Sequence, residues 1–433
     1  MSPRVGNRAI LRLALPALGA LAIDPLLTLT DTAFVARLGV TELAALGVDT
    51  AILTFAFIVF NFLAYVTTPL VAQALGRGNR AQARRWVGDA LLLAVILGLV
   101  ALTLIEVLAP ALVDLIGAES EVAGPAVDYL RIRVLASPAV LIVTTGHGAF
   151  RGYQDTRTPL LVAIGVNLLN VVLDPVLIFG AGLGLQGAAI ATVIAQYVGA
   201  LWFLRLIRAR KMADRPARVR DAIPTILALG RTGILVSIRT GFLLVGLTFA
   251  AATATRIGAA EIAAHQVVMQ VWLLAAMIAD SFAIAAQAMI GEAVGAGDVS
   301  SVDRLTSRLL IWGVFTGALL TFAFLAAGGL LSNLVVDPGV AELTVSAGSV
   351  AGWMMPVAAP LFVADGIFFG LLALGTVIAS TGFGALAVVL LISLTPLGDS
   401  LDGIWWAIAA MVIARGLVYV ATYRRAVNAA VRS

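Results

Sequence analysis

Apolar residues run in long blocks along the whole chain, separated by short polar segments. Blocks of ~20 apolar residues are the length that crosses a ~30 Å hydrocarbon layer as a helix. They predict twelve spans, at about 9–36, 43–72, 87–116, 127–150, 158–180, 185–206, 223–254, 262–290, 306–332, 342–370, 372–396 and 402–423. The strict alternation of a transmembrane barrel is absent. The pattern therefore predicts an all-α polytopic membrane protein.

Composition agrees. The chain is 61% hydrophobic and 12% charged over 433 residues, where a soluble protein carries about a quarter charged residues. There is no cysteine, which excludes disulfides, thiol catalysis and thiolate metal sites. The first apolar run is long and lacks a small-residue cleavage pattern, so no cleavable signal is expected.

Net charge is +4, almost all of it from arginine, with Lys211 the only lysine. The arginines fall on alternate loops. One side carries Arg4, Arg8 and Arg12, then "GRGNRAQARR" (76–85), "RGYQDTRTP" (151–159), "RLIRARKMADRPARVR" (205–220), Arg304, Arg308 and the C-terminal tail. The other carries the acidic "GAESEVAG" (117–124), "VDPGVAE" (336–342) and "GDSLDG" (398–403). The positive-inside rule then puts both termini in the cytoplasm of a cell that holds the protein in its inner membrane. Topology accounts for these basic loops, and no nucleic-acid partner is expected.

The chain repeats itself. "RLGVTELAA" (37–45) returns as "RIGAAEIAA" (256–264), 219 residues later. At the same offset "AQALGRGN" (72–79) meets "GEAVGAGD" (291–298) and "ATVIA" (191–195) meets "AMVIA" (410–414). "FRG" (150–152) and "FFG" (368–370) nearly coincide. Each half starts on the same side, so two parallel six-span lobes are expected, 1–204 and 223–433, joined by a basic cytoplasmic linker at 205–222. Transporters often bind substrate at the interface of such repeats.

Ionisable residues inside spans are functional candidates by default. Asp24, Thr28 and Asp31 share one face of span 1, with Pro16 and Pro25 able to bend it. Asn170 and Asp174 share a face of span 5 at i and i+4, and Thr192 enters span 6 at similar depth. Asp31, Asn170, Asp174 and Thr192 are thus expected at one level. A close carboxylate pair suits a proton carrier; the same oxygens can instead hold Na⁺, a hard cation. Secondary polar or substrate-lining candidates are Asp24, Asp280, Asp365, Arg239 and Gln266. Arg131 and Arg133 suit either pairing or snorkelling near the outer end of span 4. His147 and His265 show no metal-ligand spacing, and the loop "GAGLGLQG" (180–187) lacks a βαβ context. No P-loop is present, so an ion gradient is expected to drive the work. No cofactor, metal site or enzymatic dyad is expected, and the chain is expected to act as a monomer.

"FRGYQDTRTPL" (150–160) resembles the LRGxGDTRTP signature of the multidrug and toxic compound extrusion family. Asp31–Thr32, "VAQALGRGN" (71–79), "NVVLDP" (170–175), "LQGAAIATVIAQY" (185–197) and "AAHQVV" (263–268) resemble it too. "IRVLASPA" (132–139), "IADSFAIAAQA" (278–288) and "ADGIFFG" (364–370) look closest to its DNA-damage-inducible (DinF) branch. The resemblance implies a twelve-helix antiporter whose two lobes form a V-shaped central cleft. It implies exchange of H⁺ or Na⁺ for amphipathic or cationic drugs. By motif it makes Asp31, Asn170, Asp174 and Thr192 the N-lobe cation site, Pro16 the bending proline, and Asp365 an acid used in the C-lobe of other branches. Span 7 lacks the glutamate of those branches, the second signature has decayed to "FFGLLALGT" (368–376), and Asp24 belongs to no such motif. The expected function is a proton-coupled multidrug efflux antiporter. The alternatives are Na⁺ coupling and a flippase for lipid-linked precursors, which would need a strongly cationic cavity.

Overall fold

The computed structural model describes residues 6–214, 219–334 and 337–432, without the side chains at 24, 219–221 and 327–334. Asp24 therefore lies outside the described side chains, as does part of the basic linker. Regular structure among the described residues is helical: α1 (Asn7–Val35), α2 (Val40–Ile58), α3 (Phe62–Gly76), α4 (Arg80–Ile116), α5 (Ser120–Val134), α6 (Ser137–Gly152), α7 (Arg157–Pro175), α8 (Gly184–Ala209), α9 (Val219–Ile257), α10 (Ala259–Gly295), α11 (Val299–Leu334), α12 (Pro338–Trp353), α13 (Met355–Gly370), α14 (Leu374–Leu394) and α15 (Leu401–Arg432). A single 3₁₀ turn, Val59–Asn61, joins α2 to α3.

Two compact units divide the chain. One runs from Gly19 to Gly233; the other combines Met1–Leu18 with Ile234–Ser433. The dividing points fall inside α1 and α9, so each of these helices is shared. α1 stays helical through Pro16 and Pro25.

Among the described residues ten helices are long and apolar enough to cross a membrane, counting α2–α3 as one, and the bent pair α12–α13 makes eleven. The remaining expected span, 127–150, is not one helix. It corresponds to α5 and α6, and α5 carries Glu121, Asp128, Arg131 and Arg133. The expected span at 342–370 is likewise broken, by 56° between α12 and α13. Both breaks have one cause. Pro138 and Pro356 sit in the first turn of α6 and α13, where a proline has no N–H and clashes with the carbonyl four residues back. The freed carbonyls are not abandoned. The Ser137 hydroxyl donates to Val134 O at 2.6 Å, and the Thr321 hydroxyl donates to Gly352 O at 2.8 Å. In lipid an unpaired carbonyl would cost several kcal/mol, so these hydroxyls allow the kinks.

The repeat is visible at the level of single turns. Gly78 has φ 72° and Gly297 φ 70°, the left-handed region that glycine adopts freely. Each is followed by a capping residue: Asn79 accepts from Gln82 N at 3.0 Å, and Asp298 accepts from Ser301 N at 2.9 Å. Close packing repeats as well. A Cβ at Gly148 would lie 2.9 Å from the Ala64 Cα, and one at Gly366 would lie 2.6 Å from the Ala283 Cα. Ala64 and Ala283 are 219 apart, whereas Gly148 and Gly366 are 218 apart. The offset thus differs by one residue at α6 and α13, which is why "FRG" and "FFG" only nearly coincide.

Small residues fill the interior, and large apolar ones face out: Leu115, Phe322 and Val420 expose 82%, 71% and 79% of their surface. Such side chains are at home in hydrocarbon, and the protein is a multi-pass integral membrane protein.

Candidate ion-coupling site

The site in the Gly19–Gly233 unit is built on α1, α7 and α8. Asn170 and Asp174 stand one turn apart on α7 and are fully buried. The Asn170 amide donates to Asp174 Oδ2 at 2.8 Å and to Asp31 Oδ1, on α1, at 3.3 Å. The two carboxyls are thus joined through one amide and lie within electrostatic reach of each other. Two ionised carboxylates this close repel, so the pair is suited to carry a proton. Two oxygens remain, Asn170 Oδ1 and Asp174 Oδ1, both buried without a hydrogen-bond partner.

Thr192, on α8, is 4% exposed, and its hydroxyl proton goes to Ala188 O at 3.0 Å. It can offer only lone pairs to a visitor. Three of the four expected residues are thus in contact, and the Thr192 hydroxyl bonds within its own helix instead. Directly after Asp174, Pro175 supplies no N–H, and residues Val176–Gly180 form a π-turn. π-turns often mark functional sites.

The Ile234–Ser433 unit holds a second polar cluster. Asp365 on α13 accepts from Arg415 Nη2 at 2.7 Å on both oxygens, from Arg239 Nη2 at 2.6 Å, and from the Tyr419 hydroxyl. Arg415 is 2% exposed. Asp280 lies within electrostatic reach of Asp365 and both arginines. By the offset that relates Gly148 to Gly366, Asp365 is the counterpart of His147, whose ring packs on Phe203 at 5.2 Å. The two units thus fill equivalent places with different chemistry. Gln266 is exposed, beside the buried His265 that packs on Trp405 at 5.5 Å. Arg131 pairs with Glu106 at 3.5 Å, while Arg133 comes within electrostatic reach of Asp31.

Sequence reasoning missed Arg415, Tyr419 and Asp49. Arg415 and Tyr419 are one turn apart in the last span, where an arginine is itself a signal. Asp49, in "LGVDTAI", sits in the middle of α2 and is fully buried.

The signature "QDTRTP" proves to be a helix cap. Asp155 accepts from the backbone N–H of Arg157 and Thr158, both at 3.0 Å, from the Thr158 hydroxyl at 2.6 Å, and from Arg210 at 2.7 Å. Burial opposes its ionisation, but the hydrogen bonds from Thr158 and Arg210 outweigh it and hold the carboxyl below its ordinary value.

A family model described as MatE matches residues 16–176 and again 233–397. This chain belongs to the MATE family of transporters. DNA damage-inducible protein F of Escherichia coli (strain K12) is 31% identical over 97% of this chain and 92% of its own. Protein DETOXIFICATION 44, chloroplastic, of Arabidopsis thaliana is 32% identical over 88% of this chain and 74% of its own. Among solved structures, a Vibrio cholerae MATE transporter in the bent form superposes with a TM-score of 0.91 at 19% identity, covering 98% of this chain and 97% of that one. At that identity the likeness shows the fold. MATE proteins are transporters of small molecules, not enzymes, and need no cofactor. Among the described residues no group of three metal-ligating side chains occurs.

Proposed function

We propose that this MATE transporter is a multidrug efflux antiporter that exports amphipathic or cationic compounds in exchange for protons. The observation that carries the reading is the Asp31–Asn170–Asp174 cluster: two acids joined through one shared amide, with buried oxygens left over. Protons taken up from outside neutralise the pair. Without its charge, the α1 end of the cluster is free to move, with Pro16 and Pro25 as the places where α1 can bend. Substrate loaded from the cytoplasm, where both termini lie in this reading, then releases the protons as the pair ionises again. The free energy comes from the proton gradient, and the protein supplies alternating exposure of one site.

A second reading has its own support. The unpartnered Asn170 and Asp174 oxygens are hard oxygen ligands that suit Na⁺, and in this reading the Thr192 hydroxyl would complete the set. A lipid-precursor flippase is less well supported, because Arg239 and Arg415 are both committed to Asp365. The test is uptake of a lipophilic cation into proteoliposomes under an imposed pH gradient and, separately, an imposed Na⁺ gradient. The proton reading expects the pH gradient alone to drive it, and transport strictly dependent on Na⁺ would overturn that reading.

A further inference from the structure

α2 packs lengthwise on α5, and its inner face reads Ala45, Leu46, Asp49, Ile52. The three apolar members join a core with Ala126, Tyr129, Leu130 and Val134 of α5. Asp49 sits among them, fully buried, and neither carboxyl oxygen has a hydrogen-bond partner. A structural acid in this protein looks different. Asp365 has two arginines and a tyrosine, and Asp155 has Thr158 and Arg210. For packing alone, a valine at position 49 would serve better.

The charged surroundings of Asp49 come from α5. Arg133 is within electrostatic reach, and so is Tyr129, one turn before it on the same face. On α4, Glu106 is turned to Arg131. Arg133 also reaches Asp31, and Tyr129 also reaches Asp31 and Asp174. One face of α5, carrying Tyr129 and Arg133, is therefore within reach of both Asp49 and Asp31. Asp31 and Asp49 both lie within electrostatic reach of the one guanidinium of Arg133, where uncompensated charge is strongly disfavoured. One guanidinium balances one carboxylate, so the other carboxyl must hold a proton. Asp31 has the Asn170 amide as a donor; Asp49, fully buried with neither oxygen hydrogen-bonded, has none and is the one that holds it.

We propose that Asp49 is a second, separate proton-binding site of the Gly19–Gly233 unit, linked to the Asp31–Asp174 pair through Arg133 as a shared counter-ion. When the pair ionises it competes for the guanidinium, so a change at one site is felt at the other. The use of this proton in exchange rests on the proton-coupled reading above; its binding does not.

The test needs no substrate. Infrared titration of the full chain in lipid reads protonated carboxyl groups as pH is raised. The expected wild-type titration contains a component that is lost in Asp49→Asn and persists in the Asp31→Asn/Asp174→Asn double variant. Arg133→Met is expected to shift both this component and that of the pair. If Asp49→Asn leaves the titration unchanged, the proposal is wrong. Asp49→Glu checks that loss of the component reflects chemistry and not a folding defect: it should restore a titrating group, and failure of a folded Asp49→Glu to do so would also overturn the proposal. A lipophilic cation, tetraphenylphosphonium, supplies the second readout. Asp49→Asn should release fewer protons per cation transported than wild type, and an equal yield counts against the proposal. Transport driven by Na⁺ alone, with the Asp49 component intact, would instead sink only the proton-coupled reading.

Discussion

At the residue scale, the balance of donors and acceptors separates the two polar clusters. Asp365 is saturated by three donors and fixed in place. Replacing Arg415 by methionine leaves a buried carboxylate with Arg239 and Tyr419 only. Removing one partner of a buried pair costs about 3 kcal/mol or more, which should appear as a lower melting temperature in detergent. Asp31 and Asp174 have the opposite character: they share one amide and retain an empty oxygen. Asn170→Ala removes the donor that both acids use. Exchange is expected to fall about tenfold or more, with little change in melting temperature, because the lost bond matters for the ion rather than the core. An equal loss of stability and transport would instead make Asn170 a structural residue.

At the element scale, helix ends and close crossings make separate predictions. Asp298 caps α11, and hydrogen bonds from Ser301 and Ser300 hold its carboxyl down to about 2 from an ordinary 3.8. A depressed value means the stabilisation is fully present above pH 3.8 and is lost as pH falls through about 2. Asp298→Ala should cost about 1 kcal/mol at neutral pH, as a lost cap does, and the gap to wild type should close in acid. Gly366→Leu should be far worse, because its Cβ would lie 2.6 Å from the Ala283 Cα and 2.2 Å from the carbonyl oxygen of that residue. A melting temperature within error of wild type would show that the α10–α13 crossing is looser than described.

Much of this scale was legible in sequence. "GRGN" and "GAGD" announced identical turns, and Gly78–Asn79 and Gly297–Asp298 adopt them. The face shared by Asn170 and Asp174 followed from their spacing. The breaks at Pro138 and Pro356 were harder to see. α12 and α13 are both apolar and read as one run, the charges of α5 read as the end of a span, and the hydroxyls of Ser137 and Thr321 that make the kinks tolerable lie in ordinary-looking sequence. Arg415 and Asp49 were hidden for a different reason. Their importance depends on α13 and α5, which are far away in sequence.

At the scale of the whole molecule, the repeat has kept its frame and diverged in its chemistry. Turns, breaks and glycine crossings recur at an offset of 219 or 218. The ionisable residues do not: position 250, the counterpart of Asp31, is a fully buried alanine. In our reading one unit handles the coupling ion, while the other is braced by Asp365 and its arginines. The most direct measurement is proton movement driven by a lipophilic cation in proteoliposomes, comparing wild type with Asp31→Asn. The account expects the cation to drive proton counterflow through the wild type and none through Asp31→Asn. Equal counterflow in the two proteins would contradict it.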